Sequence, residues 1–458
     1  MALRNPLLVP DLRELMHGGE SAGVREFLAD HHPGQVADLV EDLEAVEGDQ
    51  LLGLLDERVR AEVLSYLEPE SQVRVVEAMT PQTAASLLHI MPHDDRADLV
   101  RRLDDDHVEE ILRCLAQAER EDIRKLVSYE PGTAGAVMTT DYATLPPNIT
   151  VQEANGRIRQ QAPDRETINY LYVIDPDRRL EGVVTLRNII LARPSTRIGD
   201  LMKRDLIVAQ ADEEQESAAR KIEEFDLIAI PVVDAENRLL GILTHDDAAD
   251  ILRHEQAEEF SRFAGVSPDP EADTTPYWQS NPYLAMRRRI TWLLLLFFAE
   301  NFTYPVLEHF QWVGKRIPVL ELFIPLLIGT GGNAGSQTVG TIIRALALGE
   351  IRKGQGWRVL LREALTGLLL GLMLGAIGFA YAMLYRKLGL PVASVIGLTI
   401  LCICLWANIV GSIVPLAAKR FGADPAVISA PFITTLVDAT GLVIYFTIAI
   451  LILIRLTG

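Results

Sequence analysis

A chain of 458 residues is too long for one compact domain and long enough for about three. Its formal charge of −20 is unevenly placed: residues 1–282 hold 56 acids against 28 Lys and Arg, residues 283–458 only 7 against 15. An acidic front half and a basic, apolar rear half exclude nucleic acid as a partner and suit a cation-handling cytoplasmic portion joined to a membrane portion.

The N-terminus, MALRNPLLVPDLREL, lacks a signal peptide's apolar core and cleavage site, so the front half is expected to stay on the side where it is made. Cys114, Cys402 and Cys404 form no metal or disulfide framework, which fits a reduced cytosolic setting. From about residue 35 to 115 apolar positions recur every 12 residues. One row is Leu43, Leu55, Leu67, Met79, Met91, Leu103, Leu115; a second, Val40, Leu52, Leu64, Val76, Leu88, Val100, Leu112, runs three residues ahead. That offset places both rows on one helical face, and turn chemistry such as Thr80-Pro81 falls between units. Short stacked helices forming a superhelical repeat over residues 1–130 are expected. The outer faces are acidic; Asp94 and Asp98 are i,i+4 neighbours that repel unless a cation sits between them.

After Pro131-Gly132 the pattern turns to alternating strands and helices. YLYVID (170–175), a turn, then GVVT (182–185) reads as a hairpin; IPVVD (230–234), a turn, then GILT (241–244) repeats it 59 residues later. Helical stretches at 151–160 and 215–225 precede the hairpins. These residues resemble a tandem of CBS domains, 131–198 and 199–254, with the Gly-apolar-apolar-Thr-x-x-Asp ending complete in the second copy (Gly241, Thr244, Asp247). The first copy has Asn188 where the family's ribose-contacting Asp is usual, and the resemblance makes Tyr170, Arg187 and Asn188 candidates for a nucleotide such as ATP.

On a helix continuing from 246, Asp247, Asp250, His254 and Glu258 share a face, with Glu255 and Glu259 beside it. Either this is a solvated face or clustered hard oxygen donors hold Mg²⁺ or Ca²⁺. A connecting segment, 255–282, leads to five apolar runs at about 290–308, 317–347, 360–385, 392–418 and 426–454, each long enough to span a bilayer. Ten flanking bases, including Arg287–Arg289, lie on one side and five on the other, so the N-terminus is expected in the cytoplasm and the C-terminus outside. The second run contains GTGGNAGSQ (329–337), whose glycines suit close helix packing or a locally unwound site, while Asn333 and Gln337 bring amides that need partners. The last run carries one carboxylate, Asp438. An acid at membrane depth is an ion or proton site, or else a structural Asp bonded to a neighbouring helix. No nucleophile–base constellation or Walker-type loop is present, so no enzyme activity is expected.

Over essentially its whole length the chain resembles the MgtE family of magnesium channels, most specifically in GTGGNAGSQ and in DPAVISAPFITTLVDATGLVIYF (424–446), where Ala430 departs from the usual Gly or Asn. The resemblance implies a homodimer in the cytoplasmic membrane. Its parts are an all-α N domain, an α/β CBS pair, a connecting plug helix and a five-helix transmembrane domain (283–458). It implies that Mg²⁺ passes at Asp438 with Asn333 nearby. It also implies that cytosolic Mg²⁺ closes the pore by bridging Glu62, Asp94, Asp98, Glu214, Glu216, Asp226, Asp247, Asp250, Glu255, Glu258 and Glu259. Two rivals remain at this stage: an ion-coupled divalent-cation transporter, and a membrane-tethered nucleotide sensor.

Overall fold

The computed structural model describes residues 9–17, 21–43, 45–267, 281–347, 349–352, 354–421 and 430–455. They fall into two compact units, Met1–Glu255 and Gln256–Gly458. Most of the linker after the connecting helix, the loop residue Asp424 and the start of the last apolar run lie outside the described residues.

The first unit opens with α1 (Val9–His17) and α2 (Ser21–Ala29). The repeat follows as α3 (Pro33–Asp42), α4 (Ala45–Leu54), α5 (Glu57–Tyr66), α6 (Pro69–Glu77), α7 (Pro81–Ile90), α8 (His93–Arg102), α9 (Asp105–Cys114) and α10 (Gln117–Val127). Each begins 12 residues after the last, and α5 packs on α3, α7 on α5, α9 on α7 and α10 on α8. Ten-residue helices are too short to hold alone, so the shared core sustains them. The row Val40 to Leu112 is buried on the helices. The other row corrects the sequence reading: Leu43, Leu67, Met91, Leu103 and Leu115 are not on the helical face but are C-cap residues with extended backbone. Leu67 N–H donates to Leu64 O at 3.2 Å, so the chain turns out of the helix there and still drops a leucine into the core. The period is a helix plus its exit, which spacing alone does not distinguish from one face.

The CBS pair follows with β1 (Tyr142–Leu145), α11 (Val151–Gln161), β2 (Thr167–Ile174), β3 (Leu180–Thr185), α12 (Leu186–Leu191) and α13 (Ile198–Leu201). The second copy is β4 (Ala209–Gln210), α14 (Gln215–Glu224), β5 (Ala229–Val233), β6 (Leu239–Thr244) and α15 (His245–Phe263). In each copy the first strand is parallel to the second and the second antiparallel to the third. The copies exchange their leading segments: Thr139 and Ile242 trade backbone hydrogen bonds of 2.8 and 2.9 Å, and Val183 and Lys203 trade bonds of 3.0 and 2.9 Å. The glycine of each GxxT motif permits this crossing. A Cβ at Gly182 would lie 2.8 Å from Lys203 O, and one at Gly241 2.8 Å from Thr139 O.

The second unit contains α16 (Pro282–Glu300), α17 (Thr303–Arg316), α18 (Ile324–Ala347), α19 (Gly356–Ala380), α20 (Leu390–Arg420) and α21 (Ala430–Ala449). Among the described residues, four segments are long and apolar enough to cross a membrane: Pro282–Arg316, Gly356–Tyr385, Leu390–Arg420 and Ala430–Leu453. The first differs from the expected run. Its helix starts at Pro282, takes in Arg287–Arg289, and breaks at Asn301-Phe302. The remaining expected span, α18, has 24 residues but is not among those four. Its Gly, Thr, Asn, Ser and Gln positions lower its hydropathy, and it packs against α20 and α21 instead. Glycines 371 and 375 of α19 bring its backbone onto α20, with Cβ positions 2.7 Å from Leu401 O and 2.6 Å from Gly397 O.

Candidate functional site

Asp438 sits midway along α21 and is 7% exposed, and its Oδ1 finds no hydrogen-bond partner among the described residues. The structural-carboxylate reading requires such a partner, so this atom is left ready for a ligand. The sequence beside it explains how the acid is enclosed. Gly331, Gly332 and Gly335 of α18 face α21: a Cβ at Gly332 would stand 2.7 Å from Thr434 Cγ2 and 3.5 Å from Asp438 Oδ1. The two helices are further tied by Ser336 Oγ and Thr434 Oγ1 at 2.9 Å. On its other side α18 is fixed by Thr338, whose hydroxyl donates to Asn408 Oδ1 at 2.8 Å, while Asn408 Nδ2 donates to Cys404 O at 2.8 Å. The glycine-rich segment is therefore continuous helix, not unwound backbone.

Asn333 is exposed on α18, one residue from Gly332. Glu300, the last residue of α16, lies close enough to act electrostatically on Asp438, and α16 packs on α21. Beyond α18, Phe263 of α15 lies against Gly340, 3.2 Å from its Cβ position, and lines a cavity of about 420 Å³ with Ser336, Gln337, Thr341 and Arg344.

In the first unit, the start of α8 meets the start of α15. Burial first, then Asp247, Asp95 and Glu166, push the Asp94 carboxyl well above its usual range, and Asp94 Oδ1 has no hydrogen-bond partner among the described residues. Asp247 is pushed up to about 7 by burial and by Asp246, Asp95 and Glu166, against a 2.5 Å hydrogen bond from Thr244 Oγ1. Five carboxylates, Asp94, Asp95, Glu166, Asp246 and Asp247, thus gather from the helical repeat and both CBS copies. Sequence reading named Asp94 and Asp247 as ligands but not Asp95, Asp246 or Glu166; the paired acids at 94–95 and 246–247 were the available signal.

Next to this cluster lies a compensated one. Asp122 contacts His93 Nδ1 and Arg96 Nη2, each at 2.8 Å, His93 Nε2 reaches Asp141 at 3.2 Å, and His93 also contacts Thr140. Burial opposes the Asp122 charge, but His93 and Arg96 outweigh it and hold this carboxyl at about 2. Sequence reading missed this network because its members lie up to 48 residues apart.

The other expected regulatory acids are dispersed along local partners. Asp98 pairs with Arg101 (2.7 Å), Glu216 with Arg220 (2.5 Å), Asp250 with Arg253 (2.7 Å), Glu258 with Arg262 (2.8 Å) and Glu62 with Arg58 (3.5 Å). Glu255 accepts from Gln215 at 3.2 Å. Glu214 precedes α14 and Asp226 follows it with φ 49°, both exposed; Glu259 is one turn beyond Glu255. Among the described residues, no three Asp, Glu, His or Cys side chains form a ready-made metal cage. Mg²⁺ keeps much of its water shell and needs only one or two carboxylates, so paired acids such as Asp94 and Asp247 fit it better than a closed cage would.

Tyr170 pairs with Thr185 across β2 and β3, and Thr185 caps α12 by accepting from Asn188 N–H at 3.1 Å. Tyr170, Arg187 and Asn188 therefore lie near one end of this sheet.

Family comparisons agree with this layout. Residues 324–448 match the MgtE model described as divalent cation transporter, residues 31–132 the MgtE intracellular N domain, and residues 134–195 and 198–254 the CBS domain. The magnesium transporter MgtE of Thermus thermophilus is 37% identical over 97% of this chain and 98% of its own length. That of Enterococcus faecalis is 37% identical over 72% of this chain and 71% of its own. A solved cytosolic domain of the Mg²⁺ channel MgtE in complex with ATP is 35% identical, with a TM-score of 0.51, over 53% of this chain and all of that one. With helical domain, CBS pair and membrane unit each matched in order, the chain belongs to the MgtE family of magnesium transporters, a transport family and not one of enzymes.

Proposed function

We propose that the chain is a homodimeric Mg²⁺ channel of the cytoplasmic membrane, with Mg²⁺ passing at Asp438 and cytosolic Mg²⁺ closing the path. The observation that carries the pore assignment is the buried, unpartnered Oδ1 of Asp438 beside Gly332. Mg²⁺ dehydrates reluctantly, so the carboxylate holds it through its water shell, and the exposed Asn333 offers an amide for those waters. In a dimer two such faces would meet. The N-terminal unit lies in the cytoplasm and the C-terminus outside, as the flanking arginines indicate.

The gate rests on the repelling acids at the α8–α15 junction. Without a cation, Asp94 and Asp247 oppose one another; Mg²⁺ between them turns repulsion into attraction and biases the assembly toward a closed state. Glu62, Asp98, Glu214, Glu216, Asp226, Asp250, Glu255, Glu258 and Glu259 join as Mg²⁺ displaces the arginines that some of them now hold. The ATP complex of the related cytosolic domain supports a second regulator, an adenine nucleotide at Tyr170, Arg187 and Asn188.

Mg²⁺ flux into proteoliposomes tests the reading, with wild type and Asp438→Ala compared while Mg²⁺ on the cytoplasmic face is varied. Loss of flux in the variant, with wild-type flux falling as cytoplasmic Mg²⁺ rises, is the expected result. Flux that survives in Asp438→Ala removes the pore assignment, and flux that follows a proton or sodium gradient at fixed voltage makes the protein a coupled transporter.

A further inference from the structure

The membrane unit holds a second concavity that ion conduction does not use. Between the first turns of α18, the last turns of α19 and the body of α20 lies a groove of about 610 Å³, in the size range of small-molecule sites. Its floor is apolar and closed, with Phe323 4% and Ile400 3% exposed. Its rim is open: Leu326 is 45%, Ile377 60% and Tyr381 43% exposed. Leu374, Ile377, Tyr381 and Ile400 belong to segments long and apolar enough to cross a membrane, so the groove opens sideways toward acyl chains, at the end of the bundle away from Arg344, Arg358 and Arg362.

One cation lines this apolar groove. Arg386 comes directly after a π-helical turn at Tyr381–Tyr385, and its backbone N–H donates to Tyr381 O at 3.1 Å. A π-helical turn rotates the next side chains around the helix axis and recurs at functional positions. Among the described residues, Arg386 makes no ion pair or side-chain hydrogen bond. An arginine that only snorkels to the interface needs no pocket beneath it. Here five guanidinium donors line a closed apolar floor, the complement of one phosphodiester and one acyl chain.

We propose that this groove binds an anionic phospholipid, with the phosphate on Arg386 and an acyl chain against Phe323 and Ile400. Thr330 also lines the groove and directly precedes Gly331–Asn333, so the bound lipid braces the turn of α18 that leads to the Asp438 contact.

Native mass spectrometry of the full-length protein in detergent tests this, with phosphatidylglycerol or phosphatidylcholine added. Wild type is expected to retain one phosphatidylglycerol per chain and to bind phosphatidylcholine at least fivefold less. Arg386→Gln and, independently, the groove-filling Leu326→Trp should each lower phosphatidylglycerol retention at least fivefold. Lys315→Gln, a basic residue outside the groove, should leave it unchanged. Equal retention in both groove variants, equal retention of the two lipids, or an equal loss in Lys315→Gln overturns the proposal. So does oxidative cross-linking of Leu322→Cys chains to one another in bilayers, which would make a second copy the occupant of the groove.

Discussion

The acid junction between α8 and α15 makes the stability of the first unit depend on pH and Mg²⁺ in a direction that can be worked out. The Asp247 carboxyl lies at about 7 when folded, against an ordinary value of 3.8. Between those values the folded state binds a proton that the unfolded state has lost. Stability is therefore fully present below about pH 4 and falls as pH rises through about 7. A shift of that size corresponds to about 4 kcal/mol at most, and partial solvent access and shared repulsion with Asp94 reduce it to the order of 2 kcal/mol. Hydrogen exchange of the full-length, Mg²⁺-free protein, corrected for intrinsic rates, measures this at the amides of residues 93–102 and 244–251. Opening there should become easier by about 2 kcal/mol between pH 4 and pH 8. Asp247→Asn should flatten that slope, and millimolar Mg²⁺ should flatten it in the wild type by replacing the lost protons. An unchanged slope in Asp247→Asn would refute the repulsion on which the gate is built.

Three further outcomes are expected from the packing. Arg96→Met leaves Asp122 without its guanidinium partner and removes a side chain only 2% exposed; about 2–4 kcal/mol of stability should be lost, read as a lower thermal midpoint. Gly241→Ala places a Cβ 2.6 Å from Met138 Sδ and 2.8 Å from Thr139 O, so the exchange between CBS copies should loosen by about 1–3 kcal/mol, seen as faster exchange at the Thr139 and Ile242 amides. Gly332→Val should force α18 away from Thr434 and cut Mg²⁺ flux at least tenfold, whereas Gly329→Val, which meets nothing within 4 Å, should conduct normally.

What the sequence revealed, and what it hid, divides along physical lines. Periodic features were legible because they arise from burial: the 12-residue row from Val40 to Leu112, both CBS hairpins, and the long apolar helices. The extended C-cap leucines were not, since a buried leucine just past a helix and one on its face leave the same spacing. The glycines of GxxT were visible as motif letters, but their reason lies in a backbone from the other copy 2.8 Å away. In the candidate pore, the acid was legible because a lone carboxylate in an apolar run is costly. The small-residue contact that encloses it joins residues about 100 positions apart and required the fold.

These two kinds of site place opposite demands on their carboxylates. Asp438 stands within a helix contact too close for any residue larger than glycine at position 332, with one oxygen left without a partner among the described residues; in the proposed pore the protein fixes the acid and leaves Mg²⁺ to complete it. At α8 and α15 the protein leaves several acids to oppose one another across domain boundaries, while the neighbouring Asp122 is paired with His93 and Arg96. The compensated network ties the helical repeat to the CBS pair, so in the proposed gate the uncompensated one would gain or lose a cation without unfolding the unit. A site built for passage needs a rigid acid with weak, water-mediated binding. A site built to sense needs two arrangements of nearly equal energy that one ion can tip, and repelling acids on separate domains supply that balance.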